Sequence, residues 1–223
     1  MIEIKRLTKK YGERTVLNID SLKIKKGETV VVVGPNGSGK STLLKILSGV
    51  LPKGEGEYTV GGSVFYLPQQ SVPFRKTVRK NLLFCLKNSE DKEKRTDEIL
   101  SLLSLTDFAD KKASGLSGGE CQRLALGRVL INECDFLLLD EPSSAADIEG
   151  TEIIENAIRE YKKKTGCGII MTTHSPGQAK RLADRIIILH KGEIAEEGSP
   201  GELLASPKSL WGKKFIDFWK FEE

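Results

Sequence analysis

Residues Val31–Thr42 read VVVGPNGSGKST. A β-branched stretch gives way to glycines and a proline, then to a lysine and two hydroxyls. Upstream, Thr29–Val33 is a continuous β-branched run, which suits a strand buried on both faces. Downstream, KSTLLKILSGV spaces Leu43, Leu44, Ile46 and Leu47 as a helix and stops at Gly49. Gly34, Pro35, Asn36, Gly37, Ser38, Gly39, Lys40 and Ser41 thus fit G-x-x-x-x-G-K-[ST] between a strand and a helix. Without Cβ atoms, backbone N–H groups can curl around an anion. The helix that follows aims its positive end and its free N–H groups at the same point. Lys40 is placed for the β- and γ-phosphates, Ser41 for Mg²⁺, and Thr42 for the α-phosphate. The ligand such a loop needs is a nucleoside triphosphate.

A triphosphate site also needs a carboxylate at a strand end, and FLLLDEP supplies one. Asp140 follows three leucines, where the strand leaves the core, and its oxygen is placed to hold Mg²⁺ through water. Glu141 comes next. Side chains alternate along a strand, so it points differently from Asp140 and is placed to take a proton from an attacking water. A third segment, LSGGECQRLALGRVL, puts Ser117, Gly118 and Gly119 ahead of the helical spacing Leu124, Leu126, Val129, Leu130. Taken alone it is either a second anion-binding helix start or an ordinary helix cap.

The rest of the chain frames these motifs. Ile2 and Ile4, then Leu22 and Ile24, alternate with polar residues as strands do. GCGIIMTTH is a further buried strand, and RIIILHKGEIAEEG reads as two strands joined by a turn at Lys191-Gly192. Glu152–Lys164 has helical spacing. Residues 71–130 are helical, charged and poor in β-branched residues, and NSEDKEKRTDEILSLL within them reads as a solvated helix face. The expected fold is α/β: a P-loop NTPase with a mostly parallel sheet, an N-terminal antiparallel β portion and an inserted helical lobe. The expected lobes are 1–70 with 131–223 (catalytic) and 71–130 (helical). The end, LWGKKFIDFWKFEE, places Trp211, Phe215, Phe218 and Trp219 on one side of a helix packed on the domain.

Composition narrows the classes. The 223 residues carry 35 basic and 31 acidic side chains, a net charge of +4 that argues against a nucleic-acid partner. No apolar run approaches the roughly 18 residues that cross a bilayer. Glu3, Lys5 and Arg6 stand where the apolar core of a secretion signal would lie. A cytoplasmic protein is expected, with any membrane link made through a partner. Cys85, Cys121, Cys134 and Cys167 form no C-x-x-C pair and read as reduced thiols.

GPNGSGKST, LSGGE, FLLLDEP and a histidine after a strand occur in the order found in the ATP-binding cassette (ABC) ATPases, which the chain resembles over its whole length. The resemblance implies a single ABC ATPase domain, 1–223, that hydrolyses Mg-ATP. In the family ATP is sandwiched in a head-to-tail dimer, so Ser117, Gly118 and Gly119 are implied to act on ATP held by a second copy. Glu120 stands in place of the more usual glutamine. Tyr11 matches the aromatic that stacks on adenine, with Val16 beside it. Gln69 matches the glutamine that senses Mg²⁺ and the γ-phosphate, although Gln70 is a neighbouring rival. Asp147 matches the loop that crosses the dimer interface, where Ala146 replaces the usual leucine. His174 matches the switch histidine. Separate permease subunits and a solute-binding protein are the implied partners, with the chain peripheral on the inner face of the cell membrane. Val72, Pro73 and Phe74 are the expected permease-docking spot. The tail resembles those of phosphate and tungstate importers, and the alternative is a soluble ATPase of a cytosolic assembly machine, such as one for iron–sulfur clusters.

Overall fold

The computed structural model describes residues 1–86 and 91–220, without the side chains of Phe218 and Lys220. Asn88, Ser89 and Glu90 of the charged run, and the Phe218 side chain, therefore lie outside the described residues. Contacts group the chain into two units, Met1–Tyr66 with Asp135–Asp140 and Cys167–Glu223, and Leu67–Cys134 with Glu141–Gly166. The grouping differs from the lobes drawn along the chain, because the segment after Asp140 goes with the helical unit.

The first unit holds two sheets. In one, β1 (Ile2–Tyr11) pairs antiparallel with β2 (Arg14–Ile19), β3 (Leu22–Ile24) and β5 (Glu55–Val60). The other has the order β10-β9-β4-β8-β7-β6, formed by β4 (Thr29–Val33), β6 (Val64–Leu67), β7 (Phe136–Asp140), β8 (Gly168–Thr172), β9 (Arg185–His190) and β10 (Glu193–Gly198). The pairs β4/β8, β4/β9 and β7/β8 are parallel, while β9/β10 is an antiparallel hairpin. Every residue of β4, β7 and β8 is buried, which is why these strands read as continuous apolar runs. The hairpin turns at the expected place, with Lys191 at φ 47° and Gly192 at φ 86°. Both central residues at positive φ match the right-handed twist of the flanking strands.

Helix α1 (Lys40–Leu47) buries Leu43, Leu44, Ile46 and Leu47 in one core with Ile2, Ile4, Val30, Val32 and Leu138. Each such side chain contributes about 1.5–3 kcal/mol through burial. The core fixes where β4 ends and α1 begins, and hence the loop between them. At the foot of β7, Asp135 Oδ1 accepts from Lys26 Nζ at 2.6 Å, and Oδ2 from the Ser63 N–H at 2.9 Å. Lys26, then Ser63, hold this carboxyl down at about 2. A depressed pKa stabilises the fold above the ordinary carboxylate range, and that gain is lost as pH falls toward 2. Asp135→Asn is therefore expected to lower Tm at pH 7, with the gap from wild type closing between pH 4 and 2, as followed by circular dichroism.

The second unit contains α2 (Val78–Cys85), α3 (Lys92–Leu102), α4 (Gly118–Leu130) and α5 (Ile148–Thr165). Three of them, α2, α4 and α5, start on side-chain caps. Thr77 accepts from the Lys80 N–H, Ser117 from Glu120 and Asp147 from Gly150. Gly166 closes α5 in the left-handed region after three lysines in its last turn, where positive charge suits the helix dipole. Two short helices complete the first unit, α6 (Pro176–Leu182) and α7 (Pro200–Ala205), followed by α8 (Leu210–Lys220). Of the face expected from LWGKKFIDFWKFEE, α8 buries Phe215 and Trp219 and leaves Trp211 half-buried, and Ile216, which was not expected there, is buried as well. Among the described residues no helix is long and apolar enough to cross a membrane.

Candidate functional site

The loop Gly34–Gly39 is held open by its backbone. Gly34, Gly37 and Gly39 all have positive φ. A Cβ at Gly34 would run into the Leu189 carbonyl, and one at Gly39 would sit 2.7 Å from both Leu17 Cδ2 and the Val16 oxygen. Only glycine fits at these two positions. The β9–β10 turn braces the loop from beneath, since the Gly192 N–H donates to the Ser38 oxygen at 2.9 Å. Ser38 is buried, and its hydroxyl has no partner among the described residues. An orphaned hydroxyl inside a ring of bare backbone is a cradle short of an anion. Lys40 is also buried, with Nζ donating to the Gly34 oxygen at 2.7 Å and the Pro35 oxygen at 3.2 Å. Its ammonium therefore rests on the loop's own carbonyls, at the place where phosphate oxygens would compete for it.

Asp140 ends β7 almost fully buried, and hydroxyls converge on it. Ser41 donates to Oδ1 at 3.1 Å, Thr172 to Oδ1 at 2.7 Å, and Tyr66 to Oδ2 at 3.3 Å. Burial, reinforced by the Asp140 charge, pushes the Tyr66 phenol well above its ordinary range, so it stays a donor. The Ser41 hydroxyl beside a buried carboxylate is a hard oxygen set that suits Mg²⁺. Thr42 lies half-buried in the first turn of α1.

In the helical unit, Gln69 Nε2 donates to Glu141 Oε2 at 2.8 Å. Strand alternation does not set the direction of Glu141. Strand β7 stops at Asp140, and Glu141 adopts the left-handed conformation at φ 50°. A non-glycine residue held there is strained, and such strain gathers at functional sites. Gln122 joins α4 to the same loop. Its amide donates to the Glu141 oxygen at 3.0 Å and to Ser144 Oγ at 3.3 Å, and accepts from the Ala145 N–H at 2.8 Å. Ser117 and Glu120 form a full capping box, with the Ser117 N–H donating to Glu120 Oε2 at 2.7 Å. That bond, working against a smaller burial cost, holds the Glu120 carboxyl below its usual range. A carboxylate therefore serves well where the family more often has an amide.

The structure brings the expected residues together as two sets. His174 lines one cavity with Gly34, Pro35 and Asn36. Ser117, Gly118 and Gly119 share another with Asp147. Tyr11 is exposed at the tip of the β1–β2 hairpin and pairs with Arg14, whose guanidinium lies over Gly37. Val16 is half-buried, with its carbonyl against Gly39. Gln70 is exposed beside Gln69. Sequence reasoning missed Tyr66, Thr172 and Gln122. Thr172 carried a weak signal, as a hydroxyl closing a buried strand. Tyr66 and Gln122 carried none, because their partners lie 74 and 19 or more residues away in the chain.

The family model for the ABC transporter matches residues 17–144. The spermidine/putrescine import ATP-binding protein PotA of Pasteurella multocida is 33% identical over 97% of this chain. The chain spans only 63% of that relative's length. The tungstate uptake system ATP-binding protein TupC of Peptoclostridium acidaminophilum is 36% identical, over 87% of this chain and 97% of the relative. A solved dimer of the ATP-binding cassette MJ0796 in a post-hydrolysis state, bound to ADP and Pi, superposes with a TM-score of 0.79. It is 30% identical, over 90% of this chain and 99% of that one. The chain belongs to the ABC transporter family, as an ATPase nucleotide-binding domain.

Proposed function

We propose that the chain binds Mg-ATP between two copies and hydrolyses it to power a membrane importer built from separate permease chains. The observation that carries this is the loop itself: bare backbone, an orphaned Ser38 hydroxyl and a buried Lys40 beside the Ser41–Asp140 pair. Lys40 and His174 grip the γ-phosphate, with Ser117, Gly118 and Gly119 of the second copy closing on it. Tyr11 stacks on the adenine next to Val16, and Asp147 lies in the contact between copies. Ser41, Asp140 and Gln69 would hold Mg²⁺, which when bound would offset negative charge on the phosphates. Glu141 orients and deprotonates the attacking water, and positioning with charge neutralisation supplies most of the acceleration. Loss of the γ-phosphate removes a shared ligand, so the pair opens. Phosphate release from Mg-ATP by the purified chain, abolished by chelation, tests the activity.

The relatives named for import support the transport role over a soluble assembly machine. An oxyanion is the proposed solute, on the likeness to the tungstate uptake subunit. A solute-binding protein completes the proposed system, which holds the chain at the inner face of the membrane. Permease docking falls on the helical unit. There Val72 is exposed, Phe84 stacks edge-on to Phe74 at 4.8 Å, and the Arg128 guanidinium lies 4.2 Å from the Phe74 ring. Exposed aromatic and aliphatic side chains beside an arginine make a fitting anchor. Val72→Asp is expected to leave phosphate release by the isolated chain unchanged while abolishing co-purification with the permease from detergent extracts.

A further inference from the structure

Helix α8 does more than cover the core. Trp211, Lys214, Phe215 and Trp219 line a cavity of about 660 Å³ whose remaining wall includes Pro35, Asn36 and His174. That volume lies within the range of sites that enclose organic groups. Its aromatic wall is firmly seated. Glu196 accepts from the Lys208 N–H at 2.7 Å, and from the N–H and hydroxyl of Ser209 at 2.9 and 2.7 Å, which anchors the start of the helix. Trp211 stacks on His190 with ring centroids 3.8 Å apart. An apolar hollow is thus preformed beside the loop that takes the triphosphate.

The helical unit carries a side chain of matching character. Ile148, in the first turn of α5, is 84% exposed, a large cost for an isoleucine. It directly follows Asp147, which together with Glu149 lines the concave surface of the Ser117 helix start. Ile148 does not itself line that surface, but the turn that carries it borders the Ser117 helix start. A pairing that brings this surface to a second copy's Gly34–Thr42 loop also brings the turn carrying Ile148 close to that copy. The charges also match, since Glu149 neighbours Ile148 and Lys214 lines the hollow.

We propose that Ile148 of one copy seats in the α8 hollow of the other, against Trp211, Phe215 and Trp219, with Glu149 facing Lys214. The C-terminal helix then becomes part of the dimer contact, and the hollow is complete only with the second copy. This rests on the two-copy reading above and extends it to residues outside the nucleotide motifs.

The chain's two tryptophans both lie on α8, so their emission reports on the hollow. In a Glu141→Gln background with Mg-ATP, dimerisation is expected to shift tryptophan emission to the blue. Ile148→Asp is expected to raise the concentration for half-dimerisation by roughly tenfold or more and to remove the emission shift. An aspartate suits an exposed first helical turn, so the Tm of the monomer should not fall. Lys214→Glu and Glu149→Lys should each weaken the dimer, and the double variant should recover much of the loss. A dimer of Ile148→Asp with unchanged affinity and emission shift overturns the proposal while leaving the two-copy site standing. A Glu141→Gln chain that binds ATP yet stays monomeric sinks both.

Discussion

Glu141→Gln is expected to bind Mg-ATP with near wild-type affinity and to lose roughly a hundredfold to ten-thousandfold in the hydrolytic step. The two side chains share their shape, so the left-handed backbone at residue 141 gains no new strain. The amide can still meet Gln69 by presenting its oxygen to the Gln69 N–H₂, which now donates to Oε2 at 2.8 Å. What disappears is the carboxylate that accepts a proton from water. Single-turnover phosphate release, measured beside equilibrium nucleotide binding, separates the two effects. A parallel fall in affinity and rate would place Glu141 in the binding of ATP instead.

Lys40→Ala is expected to act on binding first. Hydrogen bonds to a charged group are worth about 1.5–3 kcal/mol, which corresponds to roughly a tenfold to hundredfold loss of ATP affinity. In the structure the ammonium is buried against the Gly34 and Pro35 carbonyls, so it is already desolvated and aimed into the loop. Removing it strips the charge without moving the glycines, whose positive φ values come from the backbone packing beneath them. ADP carries no γ-phosphate, so its affinity should fall less than that of ATP. Calorimetric titration with both nucleotides checks this. Equal losses for the two would mean that Lys40 serves the fold of the loop and not the terminal phosphate.

Much of the architecture is readable along the chain because its determinants are local. The Thr29–Val33 run forms a fully buried strand, the bare loop forms the turn, and the Lys191-Gly192 turn closes its hairpin where expected. The helix after Ser117 starts on a capping box that a serine, two glycines and a glutamate already suggest. Features that depend on distant partners were not readable. Tyr66 meets Asp140 across 74 residues, and Gln122 meets the Glu141–Ala145 loop across 19 to 23. Strand alternation would set the direction of Glu141 only if the strand ran on, yet β7 ends at Asp140 and Glu141 is left-handed. The amphipathic tail showed which face of α8 is apolar. It did not show that this face borders the Pro35–Asn36 turn and His174, because only the tertiary packing brings them together.

The central claim is that one triphosphate is held by the Gly34–Thr42 loop of one chain and by the Ser117 helix start of another. Sedimentation equilibrium of the Glu141→Gln chain with Mg-ATP, with bound nucleotide counted in the same sample, tests it most directly. The account predicts a dimer carrying two ATP molecules, which falls apart with ADP and fails to form when Ser117→Arg is added. A chain saturated with ATP that sediments as a monomer at all accessible concentrations would contradict it.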